Sequence, residues 1–299
     1  MRRTIAEAMR LESAALRVAL KALTLPLTVP LVRGDRHLLW RLFETCFASQ
    51  RPNVYPEVAL GQLVDSQTEI CVVELPGETF NVTEYELFVI AAMARMIAPT
   101  LIVEFGTADG RTTLNLARNS PPDCHVVTIN LPLEQDSGHV QETAVGARFL
   151  NTSDSTRIVQ VWGNTRSVDL SRYERRCQLV FIDADHSEEG VMADSLTAMK
   201  LMDREGVILW HDALRYGVQR GLPRLAREHH LPIHLINGTN VACLFFANGK
   251  PATPFRLSSR TRAQVIENVA PVSACRGRCS RPVTFHRIPA NANASRTPP

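Results

Sequence analysis

The chain of 299 residues is long enough for one large domain or two small ones, and with 45% hydrophobic and 21% charged residues it has an ordinary globular composition, not a disordered or fibrous one. The formal net charge of +3 conceals an uneven spread: residues 1–41 carry eight Arg or Lys against three acids, residues 256–299 eight against one, and the middle 17 against 26. An acidic body between basic ends is no nucleic-acid binder by charge.

The first segment, 1–80, holds helical stretches punctuated by proline and reads as a cap over a site or an oligomer contact, which leaves a homo-oligomer open. Its apolar run from Ala14 to Val32 is broken by Arg17, Lys21, Pro26 and Pro30, too interrupted for the ~20-residue helix that a bilayer requires. Weak peripheral contact with a membrane through this basic, apolar N-terminus remains an expectation. Seven scattered cysteines, an odd number, several of them in apolar runs, point to reduced thiols and a cytoplasmic protein.

A regular pattern begins at Thr83-Glu-Tyr-Glu86, a capping box followed by Leu87, Ile90, Ala91, Ala94 and Ile97 at helical spacing, which predicts a helix over 84–97. Behind it come a strand over 101–105, a helix over 111–118, a strand over 124–129, a helix over about 139–149 and a strand over 157–162. A short helical turn near 166–173, a strand over 178–183, a helix over 188–202 and a strand over 206–210 continue the series. Strands alternating with helices imply a parallel sheet with right-handed crossovers. A helix over 216–229 then leads to two apolar runs, 232–236 and 241–247, joined by Asn-Gly-Thr-Asn; these read as a hairpin whose last strand is antiparallel to the rest. From about residue 270 Pro, Ser, Arg and Asn dominate, so 251–299 is expected to be a basic, disordered tail.

The chemistry collects at strand ends. An apolar strand stops near Glu104, and Gly106-Thr-Ala-Asp-Gly110 turns into the next helix. A ligand is expected over that turn, since open α/β sheets bind ligands outside the carboxyl ends of their strands and glycine lets backbone approach closely. A pyrophosphate cofactor would want a bare, positive helix N-terminus. Glu104 and Asp109 would repel phosphate and suit a cationic ligand, so a nicotinamide-dependent oxidoreductase is disfavoured. Ser187 is read as a helix cap with Glu188 and Glu189 in the first turn, without catalytic duty.

Taken in order, Val103-Glu-Phe-Gly-Thr-Ala-Asp-Gly110, Val126-Val-Thr-Ile-Asn-Leu-Pro132, Phe181-Ile-Asp-Ala-Asp-His-Ser-Glu-Glu-Gly-Val191 and Leu209-Trp-His-Asp212 resemble the successive motifs of class I S-adenosylmethionine-dependent methyltransferases, and of the methyltransferase domain 24 group among them. The resemblance covers about 80 to 248. It implies a Rossmann-like α/β fold with a mainly parallel seven-stranded sheet and an antiparallel last strand, in a methyltransferase domain at 81–250 between the cap region and the tail. It implies O-methylation of a small molecule or sugar, with a small-molecule acceptor as partner and S-adenosylmethionine as cofactor. Gly106, Thr107 and Gly110 would approach the methionine part of that cofactor, Glu104 and Asp109 its amino end, and Asp183 its sulfur. Asn130 stands where such enzymes place an acid on the ribose hydroxyls, and Asn164 where one is common near the adenine edge. These two amides motivate an alternative, a catalytically inactive binding or scaffold protein. Asp183, Asp185, His186, His211 and Asp212 are expected to converge on one rim, with His186 or His211 as the base for the acceptor's proton. In metal-dependent relatives oxygen ligands hold magnesium at corresponding places, and Asp183 and Asp212 fit that pattern while His211 departs from it.

Overall fold

A computed structural model describes residues 55–75, 77, 81–132 and 144–254. The expectations for most of the N-terminal segment, for the start of the helix at 139–149 and for nearly all of the tail fall outside these residues. Among the described residues no helix is long and apolar enough to cross a membrane.

Among the described residues the strands form one sheet. Its strands are β1 (Glu57–Val58), β2 (Leu101–Phe105), β3 (His125–Asn130), β4 (Ile158–Trp162), β5 (Cys177–Ile182), β6 (Met202–Trp210), β7 (His234–Ile236), β8 (Ala242–Ala247) and β9 (Lys250–Ala252). They lie in the order β1-β7-β8-β6-β5-β2-β3-β4, with β9 on the far part of β8. The run β6-β5-β2-β3-β4 is parallel throughout, and β8 inserts antiparallel between β6 and β7. The expected seven strands are therefore β2 to β8. Two short strands extend the set, and the second carries the sheet to Ala252.

Six helices are described: α1 (Leu60–Leu63), α2 (Glu84–Ile97), α3 (Arg111–Arg118), α4 (Ala147–Leu150), α5 (Glu188–Leu201) and α6 (Val218–His229). The stretch read as a helical turn near 166–173 holds a single 3₁₀ turn, Ser171–Tyr173. Strand β6 begins at Met202, four residues before its expected start, because its first residues pair with Cys177 across an irregular register.

Each central strand is buried on both faces, which is why its sequence is a continuous apolar run instead of an alternating one. Ile102, Leu179 and Val207 face α2 and α3, where Leu87, Ile90, Met93, Leu114 and Leu116 cover them. Their neighbours Val103, Val180 and Ile208 face α5 and α6, under Val191, Leu201, Leu222 and Leu225. At about 1.5–3 kcal/mol for each fully buried large side chain, these two layers supply the main driving force of folding.

The segment before the capping box joins this core. Strand β1 adds parallel to β7, and Val58, Leu63 and Val64 are buried with α2. Residues 71–75 run along α3 in a way the sequence reading did not foresee. Asn115 accepts from Val73 N at 2.9 Å and donates to Val73 O at 3.0 Å; Asn119, one turn on, does the same for Cys71 at 2.9 and 2.8 Å. The wholly buried Arg111 completes the face, donating to the carbonyls of Glu74, Leu75 and Val82 at 2.7, 2.5 and 2.7 Å. Three side chains four residues apart on one helix thus satisfy an extended chain that pairs with no strand among the described residues.

Candidate functional site

At the carboxyl end of β2 the chain turns sharply. Gly106 has φ +99°, and a Cβ there would lie 2.1 Å from the backbone oxygen of Asp183, so only glycine lets the ends of β2 and β5 come this close. Gly110 caps α3 at φ +84°, and its missing Cβ leaves room for the Phe149 ring, whose Cδ1 would be 2.6 Å away. Both glycines fit the turn that was expected, and the demand for them comes from the protein's own packing.

Beneath the turn lies a chain of hydroxyls. Gln160 donates to Thr107 Oγ1 at 3.0 Å, Thr107 donates in turn to Thr128 Oγ1 at 2.7 Å, and Thr128 donates to Glu104 Oε2 at 2.6 Å. Thr113 donates to the same oxygen, while Glu104 Oε1 is buried and accepts nothing. Burial pushes the Glu104 carboxyl up to about 8, against the two threonines that favour its charge. At neutral pH it is therefore a neutral acid until a cation arrives.

Asp109 is buried and already partnered. Arg148 Nε lies 2.6 Å from its Oδ2, and Asn81 and the backbone N of Arg111 donate to its Oδ1, both at 3.1 Å. Arg148 also pairs with Glu74 at 2.9 Å, so Asp109 acts first to tie α4 to the turn. Asn130, the last residue of β3, accepts from the backbone N of Thr107 and of Ala108, both at 3.3 Å, and donates to Leu131 O at 3.0 Å. Its amide holds the turn from the neighbouring strand. Asn164 Oδ1 accepts from Arg166 N at 2.9 Å, a local turn after β4.

The second half of the site stands at the ends of β5 and β6. Asp183 Oδ1 lies 3.2 Å from His186 Nε2 and 3.2 Å from His211 Nδ1; Asp212 Oδ2 lies 3.3 Å from His186 Nε2, and Asp212 Oδ1 lies 3.7 Å from His211 Nδ1. One ligand atom from each of the four lies within 4.8 Å of the others. Asp185, expected on the same rim, stands apart: it accepts from Ser187 N at 2.8 Å and pairs with Arg166. Ser187 caps α5 through Gly190 N at 2.9 Å, and Glu188 pairs with Arg220 and Arg224, so these residues keep the structural parts read for them.

A fifth member comes from α2. Glu86 Oε2 lies 3.4 Å from His211 Nε2, and the same carboxylate accepts from Thr83 N and Asn240 N at 2.9 and 2.8 Å. The capping box was visible in the sequence; that its acid also reaches a histidine 125 positions away was not.

Charge in this cluster is balanced by pairs. Burial works against a charge on His211, yet Asp183, Glu86 and Asp212 hold its pKa well above the ordinary imidazole range. His186, opposed by burial and held by Asp183 and Asp212, is raised to about 10. In return the histidines keep Asp183 well below the carboxylate range and Glu86 at about 2, though burial opposes both shifts. Asp212 sits at φ +51°, an uncommon left-handed conformation for a non-glycine residue at the end of β6. The donor set does not suit the expected magnesium, which prefers oxygen ligands in near-octahedral array, whereas two of these four donors are ring nitrogens.

Residues 103–213 match the family model described as a methyltransferase domain. Among solved structures, the tomaymycin-synthesis O-methyltransferase of Streptomyces achromogenes, determined with S-adenosylmethionine, is 19% identical over 56% of this chain and 83% of its own, at a TM-score of 0.45. An O-methyltransferase from Bacillus cereus in complex with S-adenosylhomocysteine is 19% identical over 56% and 83%, at 0.43, and a Podospora anserina methyltransferase bound to S-adenosylhomocysteine is 14% identical over 56% and 80%, at 0.45. No curated protein matches the chain.

Proposed function

From the match of residues 103–213 to the methyltransferase-domain family model, we propose that the protein is a class I S-adenosylmethionine-dependent enzyme that methylates an oxygen of a small molecule or sugar. The observation that carries the reading is the convergence, at the carboxyl ends of β2, β5 and β6, of the glycine turn with the Asp183, His186, His211 and Asp212 cluster. A ligand lying over the turn would bring its reacting atom to the cluster, as methyl transfer requires.

In this reading Gly106, Thr107 and Gly110 line the methionine part of the cofactor, and Asn130 and Asn164 flank its nucleoside. Glu104, with one oxygen unspent, and Asp183 offer negative charge to an ammonium and a sulfonium. Asp109 contributes through Arg148, by holding the turn in shape. His186, with 37% of its side chain exposed, is the imidazole an acceptor can reach; His211, at 7%, orients Asp183 from beneath and is a positioning residue. The cluster takes the acceptor's hydroxyl proton on a form of the His186 ring that has lost its own, with Asp183 and Asp212 steadying the charge that results.

Isothermal titration of the full chain with S-adenosylmethionine and S-adenosylhomocysteine tests this. Micromolar binding of both, weakened at least tenfold in Asp183→Asn, is expected. Absence of binding to the folded wild type would sink the enzyme reading and favour a noncatalytic binding module.

A further inference from the structure

The two edges of the sheet are finished differently. At one end β1 is only two residues long, and β9 lays Lys250 and Pro251 along β8; short strands, lysine and proline are what keep an edge from pairing with other chains. At the other end β4 runs for five residues with no charge, no proline and an unbroken register against β3. No strand among the described residues pairs with its outer side. We propose that this edge is where a second copy of the chain joins the sheet, β4 against β4 in antiparallel register about a twofold axis at Gln160. The inference does not rest on the methyltransferase reading.

The backbone directions carry it. Gly163 N donates to Asn130 O at 2.9 Å, continuing the ladder between β3 and β4. Backbone groups of successive strand residues point alternately to either side, so Val159 and Val161 turn theirs toward β3 while Ile158, Gln160 and Trp162 turn theirs outward. An axis at Gln160 sets this residue opposite its own copy and sets Ile158 opposite Trp162 of the partner subunit. Each of the three then donates and accepts across the axis, as hydrogen-bonded pairs of an antiparallel ladder do. No outward backbone group of the strand is left over.

The side chains agree with that register. Ile158 belongs to the core layer under α2 and α3, and Val161 packs against the opposite layer, so alternation puts Trp162 on the first face and Val159 on the second. Trp162 is 46% exposed and Val159 43%, so neither face of the strand is roofed over at these positions. In the paired sheet the Trp162 indole meets Ile158 of the partner subunit, and Val159 meets the partner's Val161. Aromatic and β-branched side chains opposite one another are the pairs that stabilise antiparallel strands. No charge faces its like: the nearest along the chain, Arg157, falls opposite the partner's Gly163 and is held by Asp154 at 2.7 Å.

A five-residue strand pair is smaller than the interface of a permanent dimer, so a dissociation constant in the micromolar range is expected. Sedimentation equilibrium of the full chain measures it. Val159→Lys and Trp162→Lys should each weaken the dimer at least tenfold while keeping the wild-type circular dichroism, because both replaced side chains are exposed. Leu196→Lys, at an exposed apolar position on α5, should leave it unchanged. Oxidative cross-linking reads the register: across the axis Gln160→Cys stands about 5.5 Å from its copy, Cα to Cα, within disulfide reach, and should form the intermolecular disulfide at least tenfold faster than Val159→Cys. A wild type that stays monomeric at high micromolar concentration, its edge covered from within the chain, would overturn the proposal. So would a dimer that survives both lysine variants, one lost equally in Leu196→Lys, or faster cross-linking through position 159.

Discussion

The two halves of the site are built on opposite terms. Beneath the β2–α3 turn the polar groups meet through hydroxyls and amides, from Gln160 to Glu104 and from Asn130 to the turn's backbone, and the turn's ion pair, Asp109 with Arg148, stands to one side. At the rim of β5 and β6 the partners are carboxylates and imidazoles, with Glu86 beneath. The turn holds a shape and keeps one carboxyl uncharged, whereas the rim concentrates charge that only mutual pairing makes tolerable in a buried setting. Shape and charge are thus supplied by different strands, and Gly106 is the point where the two touch.

Removing a partner from the rim is the sharpest way to break this contrast. His211→Ala leaves Glu86 buried without its counter-charge and Asp183 with His186 alone, and a loss of about 3–5 kcal/mol in folding stability is expected by denaturant titration. An Asn130→Ala control on the neutral side should cost about 1 kcal/mol. A His211→Ala loss no larger than that control would mean the rim's charges are held by solvent and not by one another.

Glu104 offers a smaller effect with a definite sign. Its carboxyl is raised in the folded protein from 4.5 to about 8, so between these values the unfolded chain has released a proton that the folded chain retains. The favourable contribution is complete below pH 4.5 and is lost as pH rises toward 8, at about 1.4 kcal/mol per pH unit. Glu104→Gln keeps an oxygen for Thr113 and Thr128 but cannot ionise, so its stability should lack this slope. An unchanged slope would place the titration elsewhere.

The smallest change is at Asn130. An aspartate there could still accept from the backbone of Thr107 and Ala108 and would add a charged acceptor for a ribose, so Asn130→Asp is expected to tighten S-adenosylhomocysteine binding up to tenfold by calorimetry. Weaker binding would show that the amide's bond to Leu131 matters more than a charge facing the cofactor.

Much of the architecture was legible because its signals are local. The capping box at Thr83 to Glu86, the apolar runs of the central strands, Ser187 as a helix cap and the Asn-Gly hairpin each depend on residues a few positions apart, and the structure places all of them as expected. The turn at 106–110 was equally plain, though glycine there answers to Asp183 and Phe149 as well as to any ligand. Asp109 was read as facing the amino end of a cofactor, and nothing near it in the sequence announces Arg148, which arrives from α4, 39 positions later. The polar face of Arg111, Asn115 and Asn119 gave no signal in the sequence, since its partners are backbone groups and carry no side-chain pattern.

By itself the sequence determined the periodicities, the turns and the order of strands and helices, because hydrophobic spacing and backbone preference act over one or two turns of chain. It also supplied the four members at the strand ends, Asp183, His186, His211 and Asp212. What only the tertiary structure decided was their relation: that His186 and His211 alternate with Asp183 and Asp212 at hydrogen-bonding and ion-pairing distance, that Asp185 turns away, and that Glu86 crosses from α2 to support the ring. Such relations depend on how adjacent parallel strands end side by side in space, and strands β2, β5 and β6, separated by crossovers along the chain, meet only when the sheet closes.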